Sequence, residues 1–115
     1  MTHFQRQGLC AAIACSRMTR AERIIATELV RQGGHSSRAK VYRLIAIRLP
    51  SPSERCKALQ NLELASVLEV DWEARPVRLT IQPCVEEWGV LKREEVVELG
   101  MTEKQQAGNG ELSDA

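Results

Sequence analysis

Aromatic residues are scarce in this chain: one Phe, one Tyr and two Trp among 115 residues. So thin a supply argues against stacking platforms for single-stranded nucleic acid or sugars, while leaving phosphate contacts open. Long apolar runs are also missing. Uncharged stretches such as Gly8 to Ser16 fall far short of the roughly 18–20 residues a membrane-spanning helix needs. The four cysteines, Cys10, Cys15, Cys56 and Cys84, form no C-x-x-C pair, and the two histidines, His3 and His35, lie too far apart to complete a zinc site. The spacings G-x-x-x-x-G-K-[ST], G-x-G-x-x-G, G-x-S-x-G and H-E-x-x-H are all absent. Phosphate loops, dinucleotide sites, nucleophile elbows and metalloprotease helices are therefore without their sequence signatures, and no cofactor is implied.

What is present is the balance of an ordinary globular chain, 43% apolar and 27% charged, at a length suited to one domain. A net charge of +1 hides a division: residues 1–50 hold nine basic and two acidic side chains, and residues 51–115 hold seven basic and thirteen acidic. Such asymmetry fits a nucleic-acid face on the basic half, or complementary faces meeting in a homodimer or a charged protein partner. The Leu9–Cys15 patch lacks the order of a signal peptide and reads as part of a folded or partner-binding segment, so a cytoplasmic protein with reduced thiols is expected.

Local signals define the elements. Thr19-Arg20-Ala21-Glu22 is a capping box, followed by Ala21, Ile24, Ile25, Leu29 and Val30 at helical spacing, with Gly33-Gly34 as the stop. Ser51-Pro52-Ser53-Glu54 is a second start signal, with Pro52 at the first helical position and Ala58, Leu59, Leu62 and Ala65 as the buried stripe. Between them Val41–Leu49 has the length and β-branched content of a strand, with a helix as the alternative. Leu68–Ala74 and Val77–Gln82 alternate as a hairpin. Pairing Glu73 with Arg78 would put Trp72 opposite Leu79 and Val70 opposite Ile81, with Trp72 in the core. Glu69, Asp71 and Glu73 then form a solvated acidic face rather than an acid/base pair or a cation site. Val85–Leu99 suits an amphipathic helix broken near Gly89. The expected fold class is α+β: a small sheet, made of a hairpin plus one further strand, packed with three to four helices in a domain spanning 1–104, with a flexible tail at 105–115.

Some of Leu9, Ile13, Met18, Ile24, Val90 and Leu91 are expected outside the single core, an apolar surplus of the kind that marks an interface. From these patterns Ile24, Ile25 and Leu29 are assigned to self-association in a homodimer, and Trp88 and Leu91 to a partner surface. Residues 91–104 have the flavour of the first helix and turn of a helix-turn-helix, but Ala107-Gly108-Asn109-Gly110 would break a recognition helix beginning near Thr102.

The stretch from Ser37-Arg38-Ala39-Lys40 through Ala46-Ile47-Arg48-Leu49-Pro50, the helix from Pro52, and Val67–Gln82 resemble a family of short bacterial proteins, covering about half the chain. The chain departs from that pattern by starting its central helix with Ser51-Pro52-Ser53-Glu54-Arg55 in place of an Asp-Trp pair. In size, in Arg/Leu/Ala/Glu-rich composition and in its Cys-bearing N-terminal segment it is similar to the quorum-sensing LasR-specific antiactivator family. That resemblance implies a non-enzymatic, dimeric protein that binds the ligand-binding domain of a LuxR-type transcription factor and blocks its dimerisation and DNA binding. It transfers no site residue. Direct DNA binding is not the expected role; the alternative is a small nucleic-acid-binding transcriptional regulator using the basic N-terminal half, with Arg17, Arg20, Arg23 and Arg31 on phosphate or, equally, on acidic side chains. A third is a hydrolase or redox protein using Cys10 or Cys15.

Overall fold

The computed structural model describes residues 1–89, and the expected helix beyond Gly89, the tail, Val90 and Leu91 lie outside the described residues. Four helices and a three-stranded antiparallel sheet form a small α+β domain. The elements run α1 (His3–Cys15), α2 (Arg20–Arg31), β1 (His35–Ser37), α3 (Arg38–Ile45), α4 (Pro52–Leu64), β2 (Leu68–Asp71) and β3 (Arg78–Ile81), followed by a 3-10 turn at Val85–Glu87. The strands lie in the order β1-β3-β2.

Capping chemistry sets the helix starts. Thr19 accepts from the Glu22 N–H at 3.2 Å while the Glu22 carboxylate accepts from the Thr19 N–H at 3.1 Å, which is the reciprocal box the sequence contains. Thr2 and Gln5 form the same box at the start of α1. At α4 only half the box closes: the Ser51 hydroxyl accepts from the Glu54 N–H at 3.3 Å, and Pro52 supplies the fixed φ.

Two helices end in the same way. The Gly34 N–H reaches back to the Leu29 carbonyl and the Gly33 N–H to that of Val30, with both glycines at positive φ. The Val67 N–H likewise reaches the Leu62 carbonyl and the Ser66 N–H that of Glu63. Both are Schellman closures, but the second holds Ser66 at φ 60, where a Cβ is disfavoured. Ser66→Gly is expected to raise stability by about 0.5–1 kcal/mol, readable as an upward shift of the urea midpoint at unchanged slope.

The segment expected as a strand, Val41–Leu49, is helical over its first half. Ser37 caps α3 by accepting from the Lys40 N–H at 3.2 Å, and Val41, Ile45 and Leu49 are buried at intervals of four. An extended chain that buried these three would also turn Arg43 and Ile47 inward; the helix leaves Arg43 in water and Ile47 95% exposed. The third strand is instead the short β1, which pairs Ser36 with Leu79.

The hairpin forms two residues away from the expected register: Val70 faces Leu79, Leu68 faces Ile81, and Asp71 rather than Glu73 faces Arg78. An even shift preserves the two faces, so Leu68, Leu79 and Ile81 point inward as expected. The cause lies at Asp71, whose carboxylate accepts from the N–H groups of Glu73 at 3.1 Å and Ala74 at 3.2 Å and turns the chain out of the ladder. Trp72 is thereby left outside the core, 41% exposed.

α2 is the central element, packing against α1, α3, α4 and the sheet. Its Ile25, Ala26, Leu29 and Val30 are fully buried, meeting Val41, Ile45, Leu59, Leu62 and Leu79. Leu9, Ile13 and Met18, expected as spare apolar surface, are part of this one core because α1 folds back on α2.

Candidate nucleic-acid interface

α3 and α4 are joined by the short link 46–51, whose Leu49 is buried in the core. Both helices pack against α2, as consecutive helices separated by a turn. β2 and β3 and their connection at 72–77 project beside α4. The link is held by the Arg48 and Leu49 N–H groups, which bond the Ile45 carbonyl, and by Arg55, which donates to the Leu49 carbonyl at 2.7 Å.

A single buried carboxylate ties this pair to α2. Glu28 is 4% exposed and accepts from Gln32 at 2.7 Å and from Arg48 at 3.1 Å, with Arg31 3.9 Å away. Arg20 completes the join by donating to the Arg48 carbonyl at 3.2 Å. Removing one partner of such a buried carboxylate leaves the other uncompensated, which costs more than the pair contributes.

α4 is buried on one side through Ala58, Leu59 and Leu62, and presents Ser53, Cys56, Lys57, Gln60 and Leu64 on the opposite side, all exposed. Its flanks are occupied: Asn61 donates to Glu22 at 3.1 Å on the α2 side, and Glu63 accepts from the Trp72 indole at 3.1 Å on the hairpin side. Among the described residues the outward stripe therefore stands free between α2 and the hairpin. At 13 residues α4 is about 20 Å long, and a helix of this diameter enters a major groove about 12 Å wide.

Beside α4 a ladder of alternating rings and cations connects the three elements. The Arg38 guanidinium lies 5.5 Å from the Trp72 ring and 5.9 Å from the Tyr42 ring, and Arg55 lies 5.3 Å from Tyr42. Burial raises the Tyr42 phenol above its ordinary range; nearby Cys56 adds to the rise, and Arg38 and Arg55 oppose it. As Tyr42 is the only tyrosine, an ultraviolet titration reads it alone, and its midpoint is expected above that of a free phenol. Because the folded-state pKa is the higher one, the associated stability is fully present below about pH 10 and is lost as pH rises through the folded value, a loss that Tyr42→Phe should abolish.

The residues assigned from the sequence are distributed differently. Ile25 and Leu29 are fully buried in the chain's own core and Ile24 is partly buried against it, so Ile25 and Leu29 offer no face to a second copy. Trp88 is 7% exposed and donates its indole N–H to the Gln82 carbonyl at 2.9 Å. Leu91 lies outside the described residues. The arginines of the first predicted helix are partly engaged within the fold: Arg23 donates to the Ser16 carbonyl at 3.0 Å, Arg20 to that of Arg48, and Arg31 sits near Glu28.

Sequence reasoning missed the α3–α4 pair because it read α3 as a strand. The available signal was the four-residue spacing of Val41, Ile45 and Leu49 just before a Pro-led capping sequence.

Other surfaces are less suited to an anion. A groove of about 840 Å³ lies over the outer sheet face and sets Glu63, Glu69 and Asp71 against Arg78. A second, about 560 Å³, is lined largely by apolar residues including Met1, Phe4, Leu9 and Ile81. Among the described residues no group of three or more His, Cys, Asp and Glu converges, and no helix is long and apolar enough to cross a membrane. All four thiols are free. That of Cys84 is pushed up, chiefly by its hydrogen bond to Glu86.

Comparison of the chain with family models, characterised proteins and solved structures finds no match.

Proposed function

We propose that this domain is a winged helix-turn-helix that binds duplex DNA, with α4 in the major groove and the 72–77 connection as the wing along the neighbouring backbone. The observation that carries this reading is the order helix, strand, helix, helix, strand, strand from α2 to β3 with the sheet arranged β1-β3-β2, combined with an α4 whose outer stripe is exposed among the described residues. In such a module the second helix of the pair carries base contacts, and basic residues on the flanking elements supply phosphate contacts. Lys57 and Gln60 are the outward groups on α4 able to reach base edges, lysine toward guanine and glutamine toward adenine. Arg38, Arg55 and Arg75 are the cations set around it.

This reading moves the contact away from the N-terminal basic half as a whole and onto α4 and its neighbours. The antiactivator reading draws its support from the family resemblance. A gel shift separates the two, comparing the chain alone, a LuxR-type receptor alone, and both together on promoter DNA. A band from the chain alone that added salt removes supports the DNA-binding reading. No band from the chain alone, combined with loss of the receptor's band in the mixture, would replace it with the antagonist.

A further inference from the structure

Between α3 and the wing lies a cavity of about 360 Å³ lined by Arg38, Ala39, Trp72, Arg75, Pro76 and Val77, with two cations and, among the described residues, no carboxylate. Arg75 has turned one of its nitrogens to the carbonyls of Trp72 at 2.9 Å and Ala74 at 3.0 Å, which fixes its side chain against the wing. Arg38 is different. Its guanidinium lies near two rings, while among the described residues its side chain has neither an acidic partner nor a backbone acceptor. Ring faces attract the cation without using its N–H groups, whose rim stays available to an acceptor. The Trp72 ring is itself held, because its indole N–H is bonded to Glu63 of α4.

We infer that Arg38, with Arg75 beside it, is a preformed clamp for one DNA backbone phosphate, and that the neutral Trp72 and Tyr42 are its positioning residues. This rests on the DNA-binding reading and adds to it a particular phosphate contact and the means by which it is held. A stacked guanidinium presents its fork in a fixed plane and loses less freedom on binding than a solvated one. The consequence is unusual for an uncharged side chain: removing Trp72 should cost an ionic contact.

The test follows duplex binding by fluorescence anisotropy across a range of salt concentrations, using the full chain. Arg38→Ala is expected to lower the slope of log K against log salt by about one, the share of a single phosphate contact. Trp72→Ala should lower the slope by the same amount, Trp72→Phe, which keeps a ring face but gives up the bond to Glu63, should restore most of it, and Arg38→Ala combined with Trp72→Ala should lose no more than either alone. A variant that merely unfolded in part would reduce the active fraction and leave the slope unchanged. A wild-type slope in either single variant overturns the clamp while leaving the DNA-binding reading standing. Absence of duplex binding by the wild-type chain at low salt overturns both. Inorganic phosphate at matched ionic strength should displace the duplex no better than chloride; displacement well beyond that would assign the site to a free anion and overturn the clamp.

Discussion

Replacing Trp88 by alanine is expected to lower the stability of the domain by about 3–5 kcal/mol, the range for a large aromatic removed from a core. Trp88 is almost fully enclosed, packs with the core cluster, and satisfies the Gln82 carbonyl through its indole N–H. Truncation would open a cavity and also leave that carbonyl short of a partner, and the two costs add. The neighbouring Gly89 lies against the Ala65 carbonyl, where an added Cβ would sit 3.2 Å from the oxygen, so the segment has little room to collapse into the space. Urea unfolding provides the measurement: the midpoint should fall by a large fraction, since a domain of this size is stable by only about 5–15 kcal/mol in all. A change below about 0.5 kcal/mol would instead mark Trp88 as a surface residue free to meet a partner.

The second large effect is expected at α4. Lys57→Ala with Gln60→Ala should leave the fold unchanged, because both side chains are exposed and neither supports another element. If each makes one good base-edge contact, worth about 1–3 kcal/mol, the pair together should cost roughly thirtyfold to twenty-thousandfold in affinity for a preferred sequence. Non-specific binding at low salt should survive, because the phosphate contacts remain. The measurement is a comparison of preferred and scrambled duplexes for the parent and the double variant. Equal loss on both duplexes would show that α4 supplies charge alone, and no loss on either would remove it from the interface. Leu64, exposed at the far end of the same stripe, offers an apolar contact of the kind that meets a thymine methyl.

Much of the domain was legible in short sequence patterns because the underlying physics is local. A hydroxyl three residues before a carboxylate, a proline at the first helical position, and paired glycines after an apolar stripe each act within one turn of backbone. α2 and α4 accordingly lie where those signals put them, and the α+β class follows from helical periods alternating with strand periods. The sequence also separated the inward from the outward residues within the paired part of the hairpin, since that depends only on the parity of alternation, but not at Trp72, where the chain has left the ladder.

What the tertiary structure decided depends on contacts between distant residues. Whether Val41–Leu49 became strand or helix turned on which arrangement let Val41, Ile45 and Leu49 meet α2 without burying Arg43. The hairpin register turned on a single carboxylate, Asp71, capturing two amides, and this put Trp72 beside Arg38 instead of in the core. The spare apolar surface expected at Leu9, Ile13 and Met18 vanished because α1 folds onto α2, a long-range event that no local pattern encodes. The proposed interface belongs to the same class. The sequence by itself determined that α4 has an apolar and a polar side; only the packing of α2, α3 and the hairpin decided that, among the described residues, its polar side is exposed and flanked by arginines, because which helix face is covered depends on elements distant in sequence.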